Sequence, residues 1–166
     1  EDSENNATVG TCLRHIDKSR PFFLCFLGQR RGWVPDFEND INGDTKEQYP
    51  TIKSIDTDRS VTEMEIEHSL LSPMYRILEK EGQTSCPPTR HSEFFFRDPE
   101  YVNEISPAQR LIYTNENEED VVHADEKLAE IKQRIIDKKA EETKENANRA
   151  DEEKIHVDIT DYKGTI

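Results

Sequence analysis

The sequence predicts an α/β fold built on a parallel sheet, and three observations carry that reading. Two short apolar runs and one alternating run look like strands. Helical patterns stand between them, so the order reads helix, strand, helix, strand, helix, strand. That alternation implies right-handed crossovers joining parallel strands. Finally, the chain has 166 residues, the size of one domain.

Phe22-Phe23-Leu24-Cys25-Phe26-Leu27 is an unbroken apolar run between Pro21 and Gly28, as expected for a strand covered on both faces. Phe94-Phe95-Phe96 repeats the pattern and stops at Arg97-Asp98-Pro99. Ile155-His156-Val157-Asp158-Ile159-Thr160 alternates strictly, which suits a half-exposed edge strand. Leu13 and Ile16 mark a short amphipathic piece before Pro21. Ser60-Val61-Thr62-Glu63 reads as a capping box opening a helix to about Leu71, and Ser72-Pro73 restarts another. Ala124, Leu128, Ile131 and Ile135 recur at helical steps and define the clearest helix. Its apolar stripe ends beyond Lys139, so 140–153 is expected to be a solvated helical arm. Residues 1–9 are expected to be a disordered acidic start to a single domain over 10–166, with inserted loops at 36–58 and 99–122. Loops beyond ~12–15 residues are usually inserted, functional or disordered.

Composition narrows the function. Asp+Glu number 36 against 22 Lys+Arg, a net charge of −14, so phosphate backbones are repelled and nucleic-acid binding through this domain is disfavoured. Apolar residues make up only 33%, and no run approaches the ~18 of a membrane span. Cys12, Cys25 and Cys86 form no C-x-x-C pair, and Cys25 lies inside an apolar run, so reduced structural thiols in a cytoplasmic protein are expected. His15, His68, His91, His123 and His156 lack metal-ligand spacing, so no metal site is expected. No G-x-x-x-x-G-K-[ST] segment is present, so this chain is not itself an NTPase. Three strands alone would leave an open edge beside a very apolar run, so the first strands of the sheet are expected to be missing from this chain.

Cys12-Leu13-Arg14-His15-Ile16-Asp17-Lys18-Ser19-Arg20-Pro21-Phe22-Phe23 is followed by Leu27-Gly28-Gln29-Arg30-Arg31-Gly32-Trp33-Val34-Pro35. Then come Ser60-Val61-Thr62-Glu63-Met64-Glu65-Ile66 and Phe94-Phe95-Phe96-Arg97-Asp98-Pro99. These four ordered blocks resemble the domain of unknown function that precedes NACHT-type NTPase modules in telomerase-associated and nephrocystin-like proteins. The family's patterns are C-L-x-x-I-D-x-x-R-P-F-F, L-G-x-R-Y-G-W-x-P, S-x-T-E-x-E-I and F-x-F-R-D-P. Gln29 departs from a common Glu, and Arg31 from a common Tyr. The resemblance implies a flavodoxin-like sheet related to TIR domains and nucleoside deoxyribosyltransferases, of which this chain looks like the C-terminal two-thirds.

The resemblance also implies two functions. The first is a non-enzymatic interaction or regulatory module of a larger NACHT-type signalling NTPase, with protein partners or other domains of its parent chain and no cofactor of its own. The alternative is an N-glycosidase acting on NAD or a nucleoside, since Thr62-Glu63-Met64-Glu65-Ile66 resembles the deoxyribosyltransferase pattern T-x-x-E-I. A carboxylate there suits an oxocarbenium-like transition state, with Glu65 as nucleophile, His68, one turn on, tuning it, and Arg30 or Arg97 holding the phosphate. Glycines are missing on either side of that pattern, where Val61 and Glu67 stand. The plainer reading, helix capping for Glu63 and a solvated face for Glu65 and Glu67, therefore takes precedence.

Open α/β sheets bind ligands outside the carboxyl ends of their strands. Gly28, Arg30, Arg31 and Trp33 follow one strand, Arg97 and Asp98 the next, and Thr62 opens a helix, so all are expected on one ligand-binding rim. Arg30 and Arg31 offer guanidinium forks for a phosphate or carboxylate, and Trp33 a stacking surface. Against this stand structural roles: Arg30 paired with an acid such as Asp98, Arg31 merely exposed, and Trp33 packing its loop.

Overall fold

The computed structural model describes residues 7–49, 52, 58–72 and 88–163. The chain divides into two compact units, residues 1–23 with 32–89 and residues 24–31 with 90–166. Its strands form a three-stranded parallel sheet of order β1-β2-β3, where β1 is Phe22–Leu27, β2 His91–Arg97 and β3 His156–Tyr162. With its flanking helices this is the predicted α/β, flavodoxin-like arrangement.

The first unit is built on α1 (Thr8–Ser19), α2 (Gly43–Gln48) and α3 (Val61–Ile66). Val9, Leu13 and Ile16 of α1 close on Ile41, Tyr49, Ile52 and Met64. The segment 36–58, expected to be an inserted loop, therefore supplies a helix and three buried side chains to this core. The reason is local: Asn42 caps α2 through Oδ1, which accepts from Thr45 N at 2.8 Å, and the flanking Ile41 and Tyr49 turn inward. Gly10 lets α1 approach Thr45 so closely that any added Cβ would clash with its hydroxyl. Val9 is fully buried, so order begins earlier than the expected boundary at residue 10; residues 1–6 lie outside the described residues.

The capping box of α3 is present. Ser60 Oγ accepts from Glu63 N at 3.2 Å, and Glu63 Oε2 accepts from Ser60 N at 2.7 Å. The helix then widens into a π-helical turn over Glu67–Leu71. A buried polar network anchors that turn. Arg20 donates to Asp17 Oδ1 (3.2 Å), Thr89 Oγ1 (2.8 Å) and the His68 carbonyl (3.0 Å), while His68 Nε2 lies 2.8 Å from Asp17 Oδ1. The second helix expected from Pro73, Cys86 and most of the 82–91 loop lie outside the described residues.

The second unit holds the rest of the sheet. β2 and β3 pair in parallel from His91 against His156 to Arg97 against Tyr162. Long helix α5 (Val121–Glu145) buries Ala124, Leu128, Ile131 and Ile135, the stripe read from the sequence, and packs against β3. On the same side Cys25, Leu27, Phe94, Phe96 and Val157 are buried. The opposite face is open: Leu24 and Phe26 are 57% and 60% exposed. Phe26 stacks on Phe95 at 4.8 Å between ring centres and meets Tyr162 edge-on at 6.1 Å. β1 is thus covered on one face, not both, because an unbroken apolar run cannot itself say how many layers reach it.

Two further segments differ from expectation. The 99–122 stretch contains a 3-10 turn at Pro99–Asn103 and helix α4 (Pro107–Tyr113), capped by Ser106 and Gln109 in a second capping box. Nor is 140–153 a wholly solvated arm. α5 continues to Glu145, and Glu142 is buried between Lys138 Nζ (2.9 Å) and Arg149 Nη1 (2.5 Å). Asn146 then ties the helix end to the start of β3, donating to the Ile155 carbonyl at 2.7 Å and accepting from Ile155 N at 3.0 Å. Ion pairs do here what the absent apolar stripe could not.

Candidate functional site

In the second unit, β1, β2 and β3 end around one cavity of about 520 Å³, lined by Gln29, Phe96, Arg97, Asp98, Pro99, Lys132, Asp161, Tyr162 and Lys163. It lies outside the carboxyl ends of parallel strands, where open α/β sheets place ligands. Arg97, the last residue of β2, places its guanidinium carbon 4.0 Å from the Tyr101 ring centre and 5.9 Å from that of Tyr162. Its Nε is buried and has no hydrogen-bond acceptor among the described residues. Asp98 N continues the ladder by donating to the Tyr162 carbonyl at 3.0 Å. The Asp98 carboxylate accepts from Glu100 N at 2.9 Å and lies 3.4 Å from Lys163 Nζ; the backbone hydrogen bond first, and then Lys163, hold its pKa below the ordinary carboxylate range. Lys132 reaches in from α5 and donates to the Gly28 carbonyl at 2.8 Å. Burial pulls its ammonium down from the usual lysine value, and Asp161 partly opposes this.

Arg97 and Asp98, expected on the rim, line this cavity. Gly28 is not among the lining residues: its carbonyl accepts from Lys132, and an added Cβ there would meet nothing within 4 Å. Arg30 and Arg31 are not among the lining residues. Arg30 donates to the Ile112 carbonyl at 3.1 Å and lies 3.7 Å from Glu118. Its acid is therefore Glu118, not Asp98. Arg31 is buried, not exposed, and its backbone N–H donates to Asn115 Oδ1 at 2.8 Å. The family-like L-G-x-R block thus fastens the chain after β1 to the segment after α4.

Trp33, Thr62, Glu65 and His68 belong to the first unit. Gly32 is required there by its backbone, at φ +93, and an added Cβ would lie 3.6 Å from Thr62 Oγ1. The Trp33 carbonyl accepts from Val61 N at 2.9 Å, while the Trp33 side chain is 47% exposed. Glu65 is half-buried, not a fully solvated helix face. Burial raises its pKa above the ordinary carboxylate value, against a smaller opposing effect of the hydrogen bond from Cys12. Burial, reinforced by the Glu65 charge, pushes the Cys12 thiol up to about 11. His68 does not join this pair. Widening of the helix at Glu67 breaks the expected one-turn spacing, and His68 faces Asp17 and packs edge-on against Tyr49 at 5.1 Å.

Gln29, Lys132, Asp161, Tyr162 and Lys163 went unrecognised in the sequence. Gln29 stood out only as a departure from a family pattern. Lys132 looks like any polar residue beside Ile131, and nothing local says that a lysine on α5 reaches the end of β1. Among the described residues no cluster of three or more His, Cys, Asp or Glu side chains is arranged to hold a metal, and no helix is long and apolar enough to cross a membrane.

Fold and cavity together define a parallel α/β module with a polar crevice at its carboxyl rim. The chain is similar to two much longer proteins. It is 27% identical over 143 residues to a TPR repeat-containing protein of Dictyostelium discoideum, covering 81% of this chain and 8% of that protein. It is also 27% identical over 142 residues to telomerase protein component 1 of Mus musculus, covering 84% of this chain and 5% of that protein. The chain thus spans less than a tenth of either relative. No protein-family model matches it, and no solved structure gives a significant match.

Proposed function

We propose that this chain is a non-enzymatic interaction or regulatory module of a larger NACHT-type NTPase, docking protein through the open face of its sheet. The observation that carries this reading is the exposure of Leu24 and Phe26 beside Phe95 on a parallel sheet, a class of sheet whose faces are normally both covered. The similarity to small parts of two long proteins supports a role as one domain among several. Glu93 and Asp158, on the same face and paired in register, give it an acidic margin and favour a partner helix with an apolar stripe and basic flanks. The free thiol of Cys12 suits a reducing, cytoplasmic setting. The test is cross-linking or pull-down from the full-length parent, comparing wild type with Phe26→Asp. Loss of the contact with an unchanged melting temperature is expected. Capture that is indifferent to Phe26→Asp removes the face from the interaction.

One observation favours a second reading as an N-glycosidase on NAD or a nucleoside: Glu65 is a half-buried carboxyl with a raised pKa, as perturbed carboxyl groups at catalytic sites have. Glu65→Gln should then abolish base release by the parent protein. Unchanged turnover would eliminate Glu65.

A further inference from the structure

The cavity at the carboxyl rim holds a lysine whose surroundings suit an amine better than an ammonium. Lys132 reaches it from α5, half-buried, with its Nζ 5.8 Å from the Phe96 ring centre. Among the described residues the Gly28 carbonyl, at 2.8 Å, is its one hydrogen-bond acceptor, and no carboxylate comes within salt-bridge distance. Asp161 lines the same cavity but acts on Lys132 from further off. A carbonyl and an aromatic ring replace little of an ammonium's hydration, which is why burial draws Lys132 below the usual lysine value. Lys163 is the contrast on the same rim: its side chain is 80% exposed and lies 3.4 Å from Asp98. Arg97 offers no such amine, because its guanidinium stays protonated.

We propose that this cavity is a reversible covalent site for a small neutral aldehyde or ketone, which Lys132 captures as an imine. Once the ammonium has released its third proton to solvent, the Nζ lone pair adds to the carbonyl carbon. Both remaining N–H protons then leave with the carbonyl oxygen as water, and a C=N bond remains. The step needs no oxidant or reductant, and water reverses it. The ligand needs no charge, because Asp98 and Asp161 already offset the two lysines on the lining. Phe96, Pro99 and Tyr162 supply apolar walls that suit an aromatic body. The space, about 520 Å³, falls in the usual ~300–1,000 Å³ range of small-molecule sites. The site is independent of the open sheet face, so Phe26→Asp should leave capture intact, and failure of either reading shows separately.

The probe is benzaldehyde, added at neutral pH to the whole 166-residue chain with cyanoborohydride, which reduces an imine to a stable amine and spares the aldehyde. Peptide mass spectrometry then reads the labelling at each lysine. Lys132 should be labelled several-fold ahead of every other lysine, at a rate that saturates with benzaldehyde because the cavity fills before the bond forms. Lys127, also half-buried on α5 but 3.8 Å from Glu130, is the control, and its rate should rise linearly. Benzyl alcohol fills the cavity without a carbonyl, so it should slow Lys132 and leave Lys127 unchanged. Lys132→Arg keeps a donor for the Gly28 carbonyl but has no imine-forming amine, so labelling in the cavity should vanish. The wild-type pattern decides the question by itself if that variant is unstable. Labelling that follows exposure, with Lys163 ahead of Lys132, a Lys132 rate that never saturates, or indifference to benzyl alcohol would each overturn the assignment.

Discussion

Reversing the charge of Glu142 should loosen the second unit markedly, although it sits in a stretch with no apolar stripe. Its side chain is 1% exposed, ion-paired with Lys138 Nζ at 2.9 Å and accepting from Arg149 Nη1 at 2.5 Å, with partners only 10% and 18% exposed. Removing one member of a buried pair costs roughly 3–5 kcal/mol, because the remaining charge is left desolvated and unmatched. Lys138 retains Glu141 at 2.7 Å and Arg149 retains Glu145, so the lower end, about 3 kcal/mol, applies to Glu142→Lys. For a chain of this size that is a fall of roughly 6–12 °C in melting temperature. Glu141→Lys is the control: its side chain is 52% exposed, and its change should stay within about 0.5 kcal/mol. Thermal unfolding followed by circular dichroism reads both. If the two variants melt together within about 2 °C of wild type, the helix end is solvated after all and the ion pairs are incidental.

Other expectations follow from the same contacts. Ile135→Ala, at a fully buried position on α5, should cost about 2–5 kcal/mol by urea denaturation, and a loss below 1 kcal/mol would show that α5 packs loosely. Ser60→Ala removes a cap that is completely buried and should cost roughly 1–2 kcal/mol; an equal loss in Ser60→Asp, which can still cap, would argue against the hydrogen bond as the cause. Burial raises Glu65 above its ordinary value, so the unfolded chain ionises first and this residue's contribution to stability falls as pH rises above about 4.5. Glu65→Gln should therefore gain on wild type between pH 4 and pH 7, and urea midpoints whose difference is flat over that range would contradict the burial argument. With its thiol at about 11, Cys12 should alkylate slowly at pH 8, and Glu65→Gln should speed it by removing the adjacent charge; an unchanged rate would separate the two groups.

By itself the sequence determined what short-range chemistry determines. The α5 stripe followed from helical periodicity, the Ser60 capping box from a four-residue pattern, and the strands from runs of apolar or alternating residues. The alternation of helix and strand was enough for a parallel sheet, because local periodicity records which face of an element turns inward. It does not record what lies against that face. Phe22–Leu27 reads the same whether one layer or two cover it, and only the packed structure leaves Leu24 and Phe26 open. Arg31 looks like a surface charge until its backbone meets Asn115, and Glu142 until Arg149 turns back onto it from beyond the helix end. His68 seemed one turn from Glu65 until the helix widened, a change decided by Asp17 and Arg20 from another element. The rim cavity was half legible: Arg97 and Asp98 stand next to a strand end in the sequence, whereas Lys132 arrives from the middle of a helix more than thirty residues away. A binding site is an agreement among elements in space, and only the tertiary structure brings its members within reach of one ligand.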